Sequence, residues 1–289
     1  MRTGELAKLI ASWTLPHGLY EFARGWDYDA LRFYAKNRNS IFARNSSLKD
    51  IHRGKRCFIM GNGPSTLRQN LLPLKDEIVF TVSNGYHHRD YQAIKPRYHC
   101  SVQVNYDALI TESVIVSYFK EMDNKTREAE LFISGSEYKL IAENSLFANR
   151  NVNYLCFGRA FCPQQNAIPD ITKVLPKPQS APLMVLMIAM YMGFKEIYLI
   201  GVEHDWIVTK EYKYAFESTV FKGKDISVSA DGKALTTLTE DIEVMRVLWS
   251  QYGALRNIAE KNGIKICNAA AGGMLDVYER VDFDSLFKA

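Results

Sequence analysis

The sequence predicts an α/β protein with a mainly parallel, Rossmann-like sheet and helices on both faces, and three observations carry that prediction. From Arg56 onward, short β-branched runs alternate with longer helix-period stretches. Several of these runs end in small polar residues, the composition found where an open α/β sheet meets its ligand. With 289 residues, 47% hydrophobic and 24% charged, the chain also has the length and apolar content for a substantial core.

In chain order, residues 1–54 read as a helical, aromatic and basic N-terminal arm. LAKLIASW is helix-patterned, Pro16 and Gly18 break it, and EFARGWDYDALRFYAKNR resumes it. Trp13, Leu15, Leu19, Tyr20, Phe22 and Trp26 interleave with Arg24, Arg32, Lys36, Arg38 and Arg44. Such a segment either lies on an anionic membrane surface or packs on its own domain or on a second subunit. Peripheral inner-membrane contact through residues 1–45 and a homo-oligomer are therefore both expectations.

Residues 55–289 read as one large domain. Its expected strands are RCFIM (56–60), IVFTV (78–82), YHCSVQV (98–104), ELFIS (130–134), VNYLCF (152–157), EIYLIG (196–201) and IKICN (264–268). Helices are expected around 66–73, 106–121, 137–148, 182–192 and 238–262, joined to the strands by right-handed crossovers. Residues 205–238, with scattered aromatics, lysines and glycines, fit this alternation worst and read as a lid that orders over a ligand.

Charge and cysteine usage narrow the function. Thirty-six lysines and arginines against 32 acids give a formal charge of +4, too mild for a nucleic-acid binder but compatible with a small anionic ligand. No apolar run reaches the ~18 residues of a membrane span, and MRTGELAKLIASW lacks the features of a secretory signal, so a cytoplasmic protein is expected. Cys57, Cys100, Cys156, Cys162 and Cys267 are odd in number, widely spread and without C-x-x-C spacing, which points to reduced, buried thiols and away from structural zinc.

The residues after the strands are the candidates for chemistry. Gly61-Asn62-Gly63-Pro64-Ser65 follows the first strand, and its glycines permit a tight turn near a phosphate, with Ser65 or Thr66 capping the next helix. It is neither the dinucleotide fingerprint nor a Walker loop. Ser83-Asn84 follows the second strand, and Gln103 and Asn105 the third. These amides suit a nucleobase edge or ribose hydroxyls. After the strand at 196–201 stands Glu203-His204-Asp205, an imidazole between two carboxylates, fit for general base catalysis or for a divalent cation. Tyr212, Tyr214 and Phe216 lie in the lid among Lys210, Lys213, Lys222 and Lys224, a set suited to phosphate oxygens or to a solvated face. Small residues 269–273 close the last strand and leave room for a ligand. Without a G-x-S-x-G elbow or an activated cysteine, covalent hydrolysis is disfavoured.

The segments Met60–Leu67, Val82–Asn84 and Met192–Val202 together resemble the bacterial family 42 sialyltransferases. With the turn Asn268–Gly273 they are also similar to motility accessory factors and archaeal 6-hydroxymethylpterin diphosphokinases. The resemblance spans residues 55–275. It implies donor contacts at Gly61, Asn62, Gly63, Ser65 and Asn84, at Gln103 or Asn105, at Ser180, and at Tyr214 within Tyr214-Ala215-Phe216. The histidine that those sialyltransferases carry before the penultimate helix is absent from residues 234–238, and His204 is the only histidine after position 99.

The expectation is a glycosyltransferase that moves a nonulosonic sugar from a CMP-activated donor to a glycan or glycolipid acceptor at the bacterial surface. His204 would be the base, Glu203 and Asp205 would flank it, and no resident cofactor would be required. Two rivals remain: pyrophosphate transfer from ATP with magnesium held by Glu203 or Asp205, and a non-catalytic nucleotide-binding scaffold of envelope polysaccharide assembly.

Overall fold

The computed structural model describes residues 27–102, 111–161, 166–209, 215–216 and 237–288. It begins with α1 (Tyr28–Asn37), whose first turn is capped by Asp27 accepting from the Ala30 amide at 3.0 Å. Phe33, Tyr34, Ile41 and Phe42 turn from this segment into the core, and the buried Asn45 side chain donates to the carbonyls of Tyr154 and Ile171 at 2.8 and 3.0 Å. The described part of the expected arm thus spends Phe33, Tyr34 and Phe42 on the domain itself and leaves Tyr28 exposed. Trp13, Leu15, Leu19, Tyr20, Phe22, Arg24 and Trp26 lie outside the described residues.

The strands are β1 (Arg56–Met60), β2 (Val79–Val82), β3 (Tyr98–Ser101), β4 (Glu130–Ser134), β5 (Val152–Arg159), β6 (Val174–Pro176), β7 (Glu196–Ile200), β8 (Lys265–Asn268) and β9 (Glu279–Arg280). Among the described residues they form one parallel sheet in the order β6-β5-β4-β3-β2-β1-β7-β8-β9. From β1 the chain builds outward to β6, then returns to lay β7 on the other side of β1. The order therefore reverses between β1 and β7, and in open α/β sheets the crevice above such a reversal receives the ligand.

Intervening helices are α2 (Tyr91–Ile94), α3 (Glu112–Lys125), α4 (Tyr138–Glu143), α5 (Ala181–Tyr191), α6 (Trp206–Thr209) and α7 (Leu238–Lys261). The alternation of side chains along each strand sorts the core into two layers. Cys57, Ile59, Phe80, Val82, Ile197, Leu199 and Ile266 share one layer with α5 and α7. Phe58, Met60, Val79, Tyr198, Ile200 and Cys267 face the opposite side, where Leu71, Leu74 and Phe283 cover them. Farther along that second face, Leu131, Ile133, Val152 and Tyr154 are covered by α3, α4 and the segment after α1. Helix α5 is buried from Pro182 to Tyr191, so it is apolar all round, as a helix between a sheet and another helix must be. The capping box of Thr237 and Glu240 starts α7.

The seven expected strands are all present, and β6 and β9 are additions: three and two residues at the sheet's edges, too short to leave a pattern in the sequence. The helix expected at 66–73 is absent. The chain there makes 3-10 turns at Pro64–Arg68 and Leu72–Asp76, separated at Gln69, whose extended backbone (φ −112°, ψ 144°) ends the first turn, while Pro73 sits in the first turn of the second, where a missing amide costs nothing. Cys57, Cys100, Cys156 and Cys267 are free and buried, whereas Cys162 lies outside the described residues. No helix among the described residues is long and apolar enough to cross a membrane.

Candidate functional site

At the reversal between β1 and β7 the two strands leave the sheet tied backbone to backbone. Gly61 N–H donates to the Ile200 carbonyl at 2.8 Å and Gly63 N–H to the Gly201 carbonyl at 2.9 Å. Gly201 sits at φ +64°, and a Cβ there would strike the Gly61 carbonyl and the Thr66 methyl. Above these loops opens a cavity of about 450 Å³, within the range of small-molecule sites. Asn62, Ser83, Asn84, Gln179 and Ser180 supply amides and hydroxyls to it, while His204, Asp205, Trp206 and Phe216 supply imidazole, carboxylate and aromatic surface.

Glu203 works mainly below the cavity floor. Its side chain accepts from the Ser65 amide at 2.9 Å, and its carbonyl accepts from the Met274 amide at 2.7 Å. One residue at the end of β7 thereby joins the loop after β1 to the loop after β8. A Cβ at Gly63 would overlap the Glu203 carboxylate, so glycine is what lets the carboxylate reach Ser65. Burial raises the Glu203 carboxyl, the Ser65 hydrogen bond opposes that rise, and the nearby Asp205 charge adds to it. The Ser65 amide, in the turn expected near a phosphate, is therefore occupied by the protein's own carboxylate. Ser65 itself is fully buried beneath the loop.

His204 takes the left-handed conformation, φ +52°, uncommon for a residue with a Cβ. Its ring packs edge-on to Trp206 and Trp249, and Nε2 lies 2.8 Å from the Tyr252 hydroxyl. Burial holds its pKa down to about 4, so the imidazole is neutral at neutral pH. The Tyr252 hydroxyl also lies 3.3 Å from Ser180 Oγ, which makes a chain of Ser180, Tyr252 and His204.

No family model matches this chain, and no curated protein matches it either. Among solved structures it is similar to a MAf glycosyltransferase from Magnetospirillum magneticum AMB-1, with a TM-score of 0.46 and 14% sequence identity over 86% of this chain. This chain spans 39% of that structure's chain.

Of the residues expected at the site, the cavity gathers Gly61, Asn62, Gly63, Asn84, Ser180, Glu203, His204 and Asp205. Gln103, Asn105, Tyr212 and Tyr214 lie outside the described residues, as do Lys210, Lys213, Lys222 and Lys224. Two residues of the expected lid are described beside the loop: the Ala215 amide donates to the Asn62 carbonyl at 2.9 Å, and the Phe216 ring lies 5.7 Å from that of His87. Sequence reasoning missed Gln179 and Tyr252. Tyr252 occupies an apolar position of α7, and nothing in the sequence signals that its hydroxyl meets an imidazole 48 residues away. Among the described lining residues there is no lysine or arginine, and among the described residues no group of three or more His, Cys, Asp or Glu is placed to hold a metal ion.

Proposed function

We propose that the protein is a glycosyltransferase that takes its sugar from a nucleoside-monophosphate donor, of the CMP-sugar type, and passes it to a glycan or glycolipid hydroxyl. The observation that carries this reading is the wall at the sheet reversal, rich in amides and hydroxyls, facing a neutral imidazole. Asn62 and Asn84 are suited to a base edge or ribose, since each amide both donates and accepts. The charge balance separates donors. Two carboxylates and no cation among the described lining residues tolerate the two charges of such a donor, phosphodiester and sugar carboxylate, better than the larger charge of a triphosphate, which requires cations around it.

In the reaction, the acceptor oxygen attacks the anomeric carbon while the carbon–oxygen bond to phosphate breaks, and the nucleotide leaves with that electron pair. The acceptor proton passes to His204. For this the ring must carry its own proton on Nε2, donating to Tyr252, which in turn donates to Ser180 Oγ; the Nδ1 lone pair then serves the cavity. The sugar's identity as a nonulosonic acid belongs to the same proposal. It rests on the sialyltransferase-like loop sequence.

Calorimetric titration with CMP and with ATP, each with and without magnesium, tests the reading. Binding of CMP without metal is expected. Binding of ATP only, and only with magnesium, would replace it with pyrophosphate transfer.

A further inference from the structure

The turn that brings Ser83 and Asn84 to the cavity is gripped from below by a histidine that is not among the lining residues. His99 is fully buried in β3, in register with Thr81 of β2. Its Nε2 lies 2.9 Å from the Ser83 carbonyl oxygen, which can only accept, so Nε2 carries a proton. Burial holds the imidazole down to about 3, which keeps the ring neutral and Nδ1 unprotonated. The Thr81 hydroxyl, 2.7 Å from Nδ1, therefore donates to it.

Ser83, the residue whose carbonyl is held, has φ +48°. A serine stays in that left-handed region where its surroundings over-determine it. The strand ends at Val82, and the turn Ser83–His87 begins at this residue, so its backbone sets the direction in which Asn84 leaves. We propose that His99 is a positioning residue: the chain from Thr81 through His99 to the Ser83 carbonyl fixes the left-handed turn and thereby aims Asn84 into the cavity. The proposal rests on the nucleotide reading only for the choice of probe.

The test uses the full chain with His99→Leu, His99→Gln and Thr81→Val. It reads hydrogen exchange over residues 83–87 and calorimetric binding of CMP. His99→Leu is expected to speed exchange in that turn and to weaken CMP about tenfold, the effect of one lost hydrogen bond. His99→Gln, whose amide nitrogen can donate to the Ser83 carbonyl, is expected to restore both. If His99→Leu does not fold, Thr81→Val, near in shape, is expected to move both readouts in the same direction. A folded His99→Leu, or Thr81→Val in its place, with wild-type exchange at 83–87 overturns the proposal. So does a loss that His99→Gln leaves unrepaired. If the wild-type chain fails to bind CMP, the nucleotide reading falls while the exchange measurement still decides the role of His99.

Discussion

Replacing Glu203 in two ways separates a carboxylate used for its charge from one used as a hydrogen-bond acceptor. Glu203→Ala leaves the Ser65 amide buried without a partner, at a cost of about 1–3 kcal/mol. Glu203→Gln keeps an acceptor oxygen for that amide and should lie within about 1 kcal/mol of wild type. The pH dependence gives a second readout. Because burial raises the carboxyl above its ordinary 4.5, the folded protein holds this proton more tightly than the unfolded chain. The sign follows: stability contributed by the protonated group is present below 4.5 and is lost as pH rises through the raised folded value. Urea denaturation of the three proteins across that range is the assay. Glu203→Gln should lose the decline and keep the stability. If Gln is as destabilising as Ala, the acceptor role is refuted, and the charge of Glu203 is what the site requires.

His204→Ala should slow transfer by about 10²- to 10⁴-fold with CMP affinity nearly unchanged, and full activity at the pH optimum would make the residue structural. Because burial lowers this imidazole to about 4, the neutral, proton-accepting form persists well into the acid range, and the acidic limb of the wild-type rate profile should fall near that value, not near the ordinary 6.5. Gly61→Ala drives a Cβ into the Gly201 carbonyl, backbone against backbone, and should cost about 3 kcal/mol. Gly63→Ala must push the Glu203 carboxylate off the buried Ser65 amide and should cost about 1–3 kcal/mol; a Gly61→Ala protein as stable as wild type in denaturation would contradict the close packing of β1 on β7.

The fold was legible because a buried parallel strand must be apolar along its length, and RCFIM, ELFIS and EIYLI match β1, β4 and β7. The cavity was legible in outline because loops after parallel strands converge on one edge, which brought Asn62, Asn84 and His204 together. What each residue does there was not legible. Glu203 reads in sequence as a carboxylate flanking the catalytic histidine or as a metal ligand, yet its partner is the amide of a residue 138 positions away. His99 reads as one more strand residue, and its importance lies in a backbone angle at Ser83 that no residue type announces.

The Glu203 junction also bears on how this sheet can be re-engineered. The Met274 amide and the Ser65 amide meet at one residue, and Arg280 holds the same β8 loop through the carbonyls of Gly272 and Gly273 at 3.0 and 2.6 Å. Segments 61–65, 201–206 and 269–275 therefore make a single graft unit. Transplanting any one of them from another protein would import half of a contact, and the turn at 83–87, fastened through His99, also has Gly85 against the Asn62 side chain, so a new turn there must keep glycine at that position.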